Sequence, residues 1–200
     1  MFAAIILAAG ASQRMGYPKG LLAYRGRPFL AGILEASYAA GIETRVVVLG
    51  YYGDKIRKEI DLSDSIVVPS EDLGAGPIGS IRAGIRALEG RPVDGALVWP
   101  VDRPHVPVAC VTAMLDAFRD THQPIVVPTF GGRRGHPVLF AKSMFDELLA
   151  APNDEGARVV VRRDAGRVAC VEVEDSSVLD DLNTPDDYKA LLRREDRHRE

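Results

Sequence analysis

Apolar residues along the chain fall into two alternating rhythms. Short unbroken runs have the length and β-branched content of buried strands: Ala3 to Ala8, Arg45 to Leu49, Ser65 to Val68, Ala96 to Trp99 and Pro124 to Val127. Between them lie segments with helical spacing: Pro28 to Ala40, Tyr52 to Glu59, Pro77 to Leu88 and Pro107 to Phe118. The third is apolar at Ile78, Ile81, Ile85 and Leu88. Pro28 fits a first helical turn, where a missing N–H costs nothing. Strands that are apolar throughout are covered on both faces, and alternation with helices requires crossover connections. The pattern therefore predicts an α/β three-layer sandwich around a mostly parallel sheet. After about Gly131 the rhythm changes, with strands expected at Pro137 to Phe140 and Arg167 to Val173 among two or three helices. This reads as one domain over residues 1–200, with a first part to about 128 completed by a second from about 129 to 192.

Composition narrows the classes. The chain has 200 residues, 46% hydrophobic and 26% charged, enough apolar material for one sizeable core. A net charge of -3 and a pI near 5.8 argue against a nucleic-acid-binding face. They leave room for a small anionic ligand, because a few local Arg and Lys can make a positive pocket on an acidic protein. Cys110 and Cys170 lack metal-ligand spacing and are expected as buried free thiols of a reducing compartment. The opening MFAAIILAAG lacks a basic leader and breaks at Gly10, so no signal peptide is expected. No stretch approaches the roughly 20 apolar residues of a membrane span, and a cytoplasmic location follows. The tail RREDRHRE reads as a solvated helix end or frayed terminus.

The first predicted strand runs into LAAGASQRMGYPKGLL, residues 7 to 22. In α/β sheets, ligands sit at the carboxyl ends of strands, which is where this loop lies. Gly10, Gly16 and Gly20 allow tight turns, and small Ala8, Ala9, Ala11 and Ser12 leave backbone N–H groups open to an anion. Arg14 adds a fork for phosphate oxygens and Lys19 a point charge. The loop is neither GxxxxGK[ST], since Gly20 follows Lys19, nor GxGxxG, so a dinucleotide-redox reading lacks its fingerprint. The alternative is a Gly-rich surface loop with two incidental cations.

The fourth strand ends in PVDRP, with Asp102 between Pro100 and Pro104 on a stiff loop. A carboxylate so held suits magnesium, which takes one or two carboxylates together with phosphates and waters. A surface turn or helix-capping Asp is the plainer reading. Farther on, DDLNTPDDY (180 to 188) offers Asp181 and Asn183, followed by a helix start in which Thr184 caps and Pro185 takes the first position.

The loop of residues 7 to 22 resembles the pyrophosphorylase-type pattern LA[AG]GxSxRMGxxKxLL. It is most similar to the molybdopterin nucleotidyltransferases, the cytidylyl and guanylyl transferases of molybdenum-cofactor maturation. Leu7, Ala8, Ala9, Gly10, Ser12, Arg14, Met15, Gly16, Lys19, Leu21 and Leu22 carry the match. The resemblance implies a Rossmann-like nucleotidyltransferase fold and a loop that wraps the triphosphate, with Arg14 and Lys19 offsetting its charge. It makes Asp102 a magnesium ligand in the family's PxDxP motif, and Asp181 or Asn183 the second. GAGPIGSIRAGI (74 to 85) resembles the base-contacting segment, with Gly76, Pro77, Gly79 and Ser80. Its Gly-Pro pair is closer to the guanylyl branch, and its Ser80 and Arg82 surroundings to the cytidylyl branch. GGRRGHPVLF (131 to 140) resembles the cytidylyl enzymes, placing Gly135, His136 and Pro137 by the acceptor. In DEGARVVVRR, Arg158 is a phosphate contact by the same likeness.

The implied reaction is magnesium-dependent transfer of a nucleoside monophosphate from CTP or GTP to a phosphorylated small molecule such as molybdopterin, with pyrophosphate released. Arg14, Lys19 and Asp102 would be the catalytic residues. Residues to about 128 would bind the nucleotide and those from about 129 the acceptor, with a recipient molybdoenzyme as a further partner and neither nucleic acid nor membrane involved. A sugar-1-phosphate or other small-phosphate nucleotidyltransferase, or a non-catalytic nucleotide-binding chaperone, are the alternatives.

Overall fold

The structure is a computed structural model that describes residues 1–70 and 72–197; the last three residues of the predicted charged tail lie outside it. Strand β1 (Phe2–Ala8) is the central strand, apolar along its whole length and buried on both faces. It pairs in parallel with β4 (Thr44–Leu49) on one side and with β6 (Gly95–Pro100) on the other, while β5 (Ile66–Pro69) extends the sheet beyond β4. On the β6 side the direction reverses. Strand β9 (Val138–Ala141) runs antiparallel between β6 and β7 (Ile125–Phe130), and β10 (Val168–Glu172) closes the edge in parallel with β7. Short β8 (Arg133–Arg134) folds back on β7, and β2 (Ala23–Tyr24) pairs with β3 (Arg27–Pro28) apart from the sheet.

Alternation along β1 sorts the core into two layers. Ala4, Ile6 and Ala8 face α1 (Phe29–Ala39), α2 (Gly53–Glu59) and α4 (Val108–Thr121), joined by Leu191 of α7 (Pro185–Arg197). Ala3 and Ile5 face α3 (Pro77–Arg86), α5 (Phe145–Ala150) and α6 (Ala157–Arg162). This is the expected α/β/α sandwich. The apolar stripe of α3, Ile78, Ile81 and Ile85, is wholly buried, as its spacing predicts.

Differences from the sequence reading have local causes. Pro28 ends the β2–β3 hairpin and α1 begins one residue later, because the preceding turn uses Arg25 and Gly26 in left-handed conformations. Cys110 is buried in α4, and burial pushes its thiol up to about 12. Cys170 corrects the expectation of two buried thiols: it is exposed on edge strand β10. Among the described residues no helix is long and apolar enough to cross a membrane.

The reversed strand depends on close approach. A side chain at Gly95 would put its Cβ 2.5 Å from the Phe140 carbonyl oxygen, across the β6–β9 pair. Gly95→Ala is expected to cost about 1–3 kcal/mol of stability by forcing these backbones apart. Urea denaturation checks it, and an unchanged midpoint would show that β9 tolerates the shift.

Candidate active site

Because β1, β4, β5 and β6 are parallel, their carboxyl ends open on one side of the sheet. The reversal at β9 brings its first residues to the same side. A cleft of about 1130 Å³ lies there. Of the residues given a binding, catalytic or metal-holding role from the sequence, Leu7, Ala8, Ala9, Gly10, Ser12, Arg14, Lys19, Gly76, Pro77, Ser80, Asp102, Gly135, His136, Arg158, Asp181 and Asn183 all line it. Two do not. Gly79 lies beneath, where a Cβ would stand 2.3 Å from the Asp72 carbonyl oxygen. Pro137 is buried at the start of β9.

The loop after β1 is folded on Ser12. Its backbone takes a left-handed φ of 48°, and its carbonyl accepts from the N–H groups of Met15 and Gly16, both at 3.0 Å. Buried Met15 anchors the loop, and the Ser12 hydroxyl accepts from the Lys19 N–H at 3.3 Å. Lys19 thus starts from a fixed backbone point, a 3₁₀ turn over Lys19–Leu21.

The loop after β6 is held from three sides. The Val101 N–H donates to the Leu7 carbonyl at 3.1 Å, the Arg103 N–H to Pro100 at 3.2 Å, and the Trp99 indole to the Arg103 carbonyl at 3.0 Å. Asp102 is therefore presented on a stiff turn beside the first loop. Its Oδ2 lies 3.1 Å from Lys19 Nζ, and the same ammonium donates to Asn183 Oδ1 at 2.8 Å. Two acceptor oxygens from distant segments thus converge on one ammonium.

Asn183 is placed by the start of α7. The Asn183 and Thr184 N–H groups donate to Asp187 Oδ2 at 3.0 and 2.8 Å, and the Asp187 N–H returns to Thr184 Oγ1 at 3.2 Å. This is a reciprocal cap of the kind that Thr184, Pro185 and an acid three residues after the cap predict. Asp181 does not join Asp102 and Lys19: its Oδ1 accepts twice from the Arg103 guanidinium, at 3.0 and 2.7 Å.

Arg103 is the residue that sequence reasoning passed over. It is 5% exposed, and it also donates to the Asp180 carbonyl. One side chain thereby ties the turn carrying Asp102 to the segment carrying Asn183. Its only sequence signal was its place inside PVDRP. Arg82, also passed over as a contact, donates to the Leu149 and Ala151 carbonyls and to Asn153 Oδ1, fastening α3 to the loop before Arg158.

On the β9 side, a Cβ at Gly135 would stand 2.4 Å from the Val178 carbonyl oxygen, which also accepts from the His136 N–H at 2.9 Å. Burial, followed by the Arg103 guanidinium, holds the His136 imidazole down to about 4, against the opposite pull of Asp102 and Asp181. His136 is thus neutral at physiological pH, a hydrogen-bonding group rather than a cation. Arg134, Arg158 and Arg162 supply positive charge to this side of the cleft. In the α3 region the Ser80 hydroxyl lies 3.2 Å from that of Ser70.

A mostly parallel sheet thus places a Gly-rich loop with Arg and Lys beside two oxygens that share one ammonium, in a cleft at the carboxyl ends of its strands. The chain belongs to the MobA-like NTP transferase domain family, whose model matches residues 4–168, and it is a nucleotidyltransferase. Among proteins it is similar to is the molybdenum cofactor cytidylyltransferase of Escherichia coli, 27% identical over 92% of each chain. The nicotine blue oxidoreductase of Paenarthrobacter nicotinovorans is 29% identical over 94% of this chain and 95% of its own. Among solved structures, Rv0371c of Mycobacterium tuberculosis is 29% identical, with a TM-score of 0.85 over 96% of this chain and 97% of its own. That protein has also been solved in complex with manganese.

The depressed His136 value makes a pH prediction. Its folded pKa lies below that of the unfolded chain, so the unfolded state takes up the proton first as pH falls. This contribution is fully present above about pH 6.5 and is lost progressively toward pH 4, amounting to about 1–2 kcal/mol at pH 5. Denaturant unfolding at pH 7 and pH 5 should show a smaller loss for His136→Asn than for wild type. Equal losses would mean that His136 titrates normally.

Proposed function

We propose that this protein transfers a nucleoside monophosphate from CTP, with GTP as the other candidate, to the phosphate of molybdopterin or the molybdenum cofactor. The observation that carries the reading is the convergence of Asp102 Oδ2 and Asn183 Oδ1 on one cationic point beside the Gly-rich loop. The family assignment and the name of the Escherichia coli relative support it. Magnesium fits this donor set. It prefers oxygen ligands, needs few from the protein, and fills its other positions with phosphates and waters. Asp102 and Asn183 would hold it, and it would supply charge neutralisation to the triphosphate. The manganese complex of Rv0371c agrees with a divalent-ion requirement.

The loop from Leu7 to Ser12 would cradle the triphosphate with its backbone, Arg14 and Lys19 adding positive charge toward the leaving pyrophosphate. Gly76, Pro77 and Ser80 would face the base, supported from beneath by Gly79. Gly135, His136 and Arg158 would receive the acceptor, with Pro137 fixing the strand behind them, and a recipient molybdoenzyme would take the product. An oxygen of the acceptor phosphate forms a bond to the α-phosphorus while the bond from that phosphorus to the bridging oxygen breaks, and pyrophosphate leaves with the electron pair. A phosphate monoester is already anionic near neutral pH, so no general base is needed and catalysis reduces to positioning and charge. His136 fits this, since burial holds its imidazole down to about 4 and makes it a weak base near neutral pH. We place the reaction in the cytoplasm, where nucleoside triphosphates are held. Likeness to an oxidoreductase along the whole chain does not redirect the reading, because the loop lacks the dinucleotide fingerprint.

Thermal unfolding with CTP, GTP, ATP, UTP and NADPH, each with and without magnesium, tests the reading. A nucleotide at about 100 times its dissociation constant contributes roughly 2.7 kcal/mol, a rise of about 5–10 °C for a chain of this size. A magnesium-dependent rise with CTP or GTP, lost in Asp102→Asn, is expected; a rise with NADPH alone would sink the proposal. In pyrophosphate-release assays with molybdopterin, Lys19→Ala should lower turnover on the order of 10²–10³-fold, and near wild-type turnover would remove Lys19 from the machinery.

A further inference from the structure

Lys19 stands where the proposed divalent ion would stand. Its Nζ is 3.1 Å from Asp102 Oδ2 and 2.8 Å from Asn183 Oδ1, and these are the two oxygens assigned to the metal. An ammonium and a divalent ion cannot share the same two oxygens, since their repulsion at such distances is strong in a partly buried site. Lys19 and Asp102 have side chains only 14% and 20% exposed, so solvent screens the pair weakly. Resting on the proposed metal reading, we infer that Lys19 is a resident counter-ion, occupying the metal point in the nucleotide-free protein and giving it up when nucleotide arrives with its metal.

Three features support such a move. The Lys19 backbone is pinned at the base of the phosphate loop by the Ser12 hydroxyl, while its four-carbon stem is a flexible carrier of a point charge. The ammonium can therefore exchange carboxylate and amide oxygens for phosphate oxygens with no backbone change. Arg103 does not take over its place: its closest approach to Asp102 is 3.9 Å, too long for a hydrogen bond, and its guanidinium donates to Asp181 and the Asp180 carbonyl. Without Lys19, Asp102 would be a partly buried carboxylate left with only the 3.9 Å approach of Arg103, and so a stronger ligand for an added cation. The arrangement makes metal and nucleotide bind together. Metal alone takes both acceptor oxygens from Lys19, whereas nucleotide brings the phosphate that receives its ammonium. Such coupling is reciprocal, each ligand raising the affinity of the other.

The test is direct Mn²⁺ binding to the purified protein, read by the EPR signal of free Mn²⁺, without nucleotide. Lys19→Met is expected to bind Mn²⁺ on the order of tenfold more tightly than wild type, within the usual range of coupled binding. Lys19→Gln, polar and uncharged, is a second neutral variant should the first fold poorly, and it should also gain. Lys19→Arg, still a cation, should not. With CTP present the order should reverse, wild type retaining Mn²⁺ better than Lys19→Met. If the neutral variants bind Mn²⁺ no more tightly than wild type while Asp102→Asn abolishes the site, the counter-ion role is overturned and the metal reading stands. If Asp102→Asn leaves Mn²⁺ binding unchanged in every background, the metal reading falls and takes this inference with it.

Discussion

The contact on which the site depends is the one between Lys19 and two oxygens that lie 83 and 164 residues away in sequence. Charges this little exposed persist only when they are paired, so the three segments must arrive together. Much of the surrounding structure can be read as the means of arrival. The loop after β1 folds on Ser12 and fixes the start of the lysine. The turn after β6 is hydrogen-bonded on three sides and fixes the aspartate. The reciprocal cap of α7 fixes the asparagine, and Arg103 joins the last two.

The sheet makes this economical. Parallel strands place their carboxyl ends together, so the four loops after β1, β4, β5 and β6 already share one edge. The second half reaches the same edge by a different device. Inserting β9 antiparallel between β6 and β7 turns the chain over, so the segment before β9 delivers Gly135 and His136 to the cleft. Close backbone approach at Gly95 and Gly135 permits it. The antiparallel strand is thus a route by which sequence from the far side of the chain reaches the loops that precede it.

Fold likeness does not choose the chemistry. A chain similar over nearly its whole length carries the name of an oxidoreductase, and another that of a cytidylyltransferase. What separates readings is the donor set at the cleft: an oxygen pair that suits a hard cation, arginines toward the acceptor side, and an imidazole kept neutral by burial. Each of these is a property of local electrostatics, and none is visible in the order of strands and helices.

Sequence alone settled those features whose causes are local. Uninterrupted β-branched runs between helical repeats determined a mostly parallel, doubly covered sheet, because only burial on both faces accommodates them. Gly-rich spacing with Arg14 and Lys19 marked a loop that lines the cleft, and Thr184–Pro185 marked the start of α7. Less legible was anything set by pairing across the chain. The exposure of Cys170 followed from β10 lying at the edge. The choice between Asp181 and Asn183 as neighbour of Asp102 could not be read from DDLNTPDDY, since both are polar and two residues apart. It was decided by Arg103, which draws Asp181 aside and leaves Asn183 facing Lys19. Tertiary structure alone decided these, because a charge takes the partner that folding brings within reach, and that distance is written in no single segment.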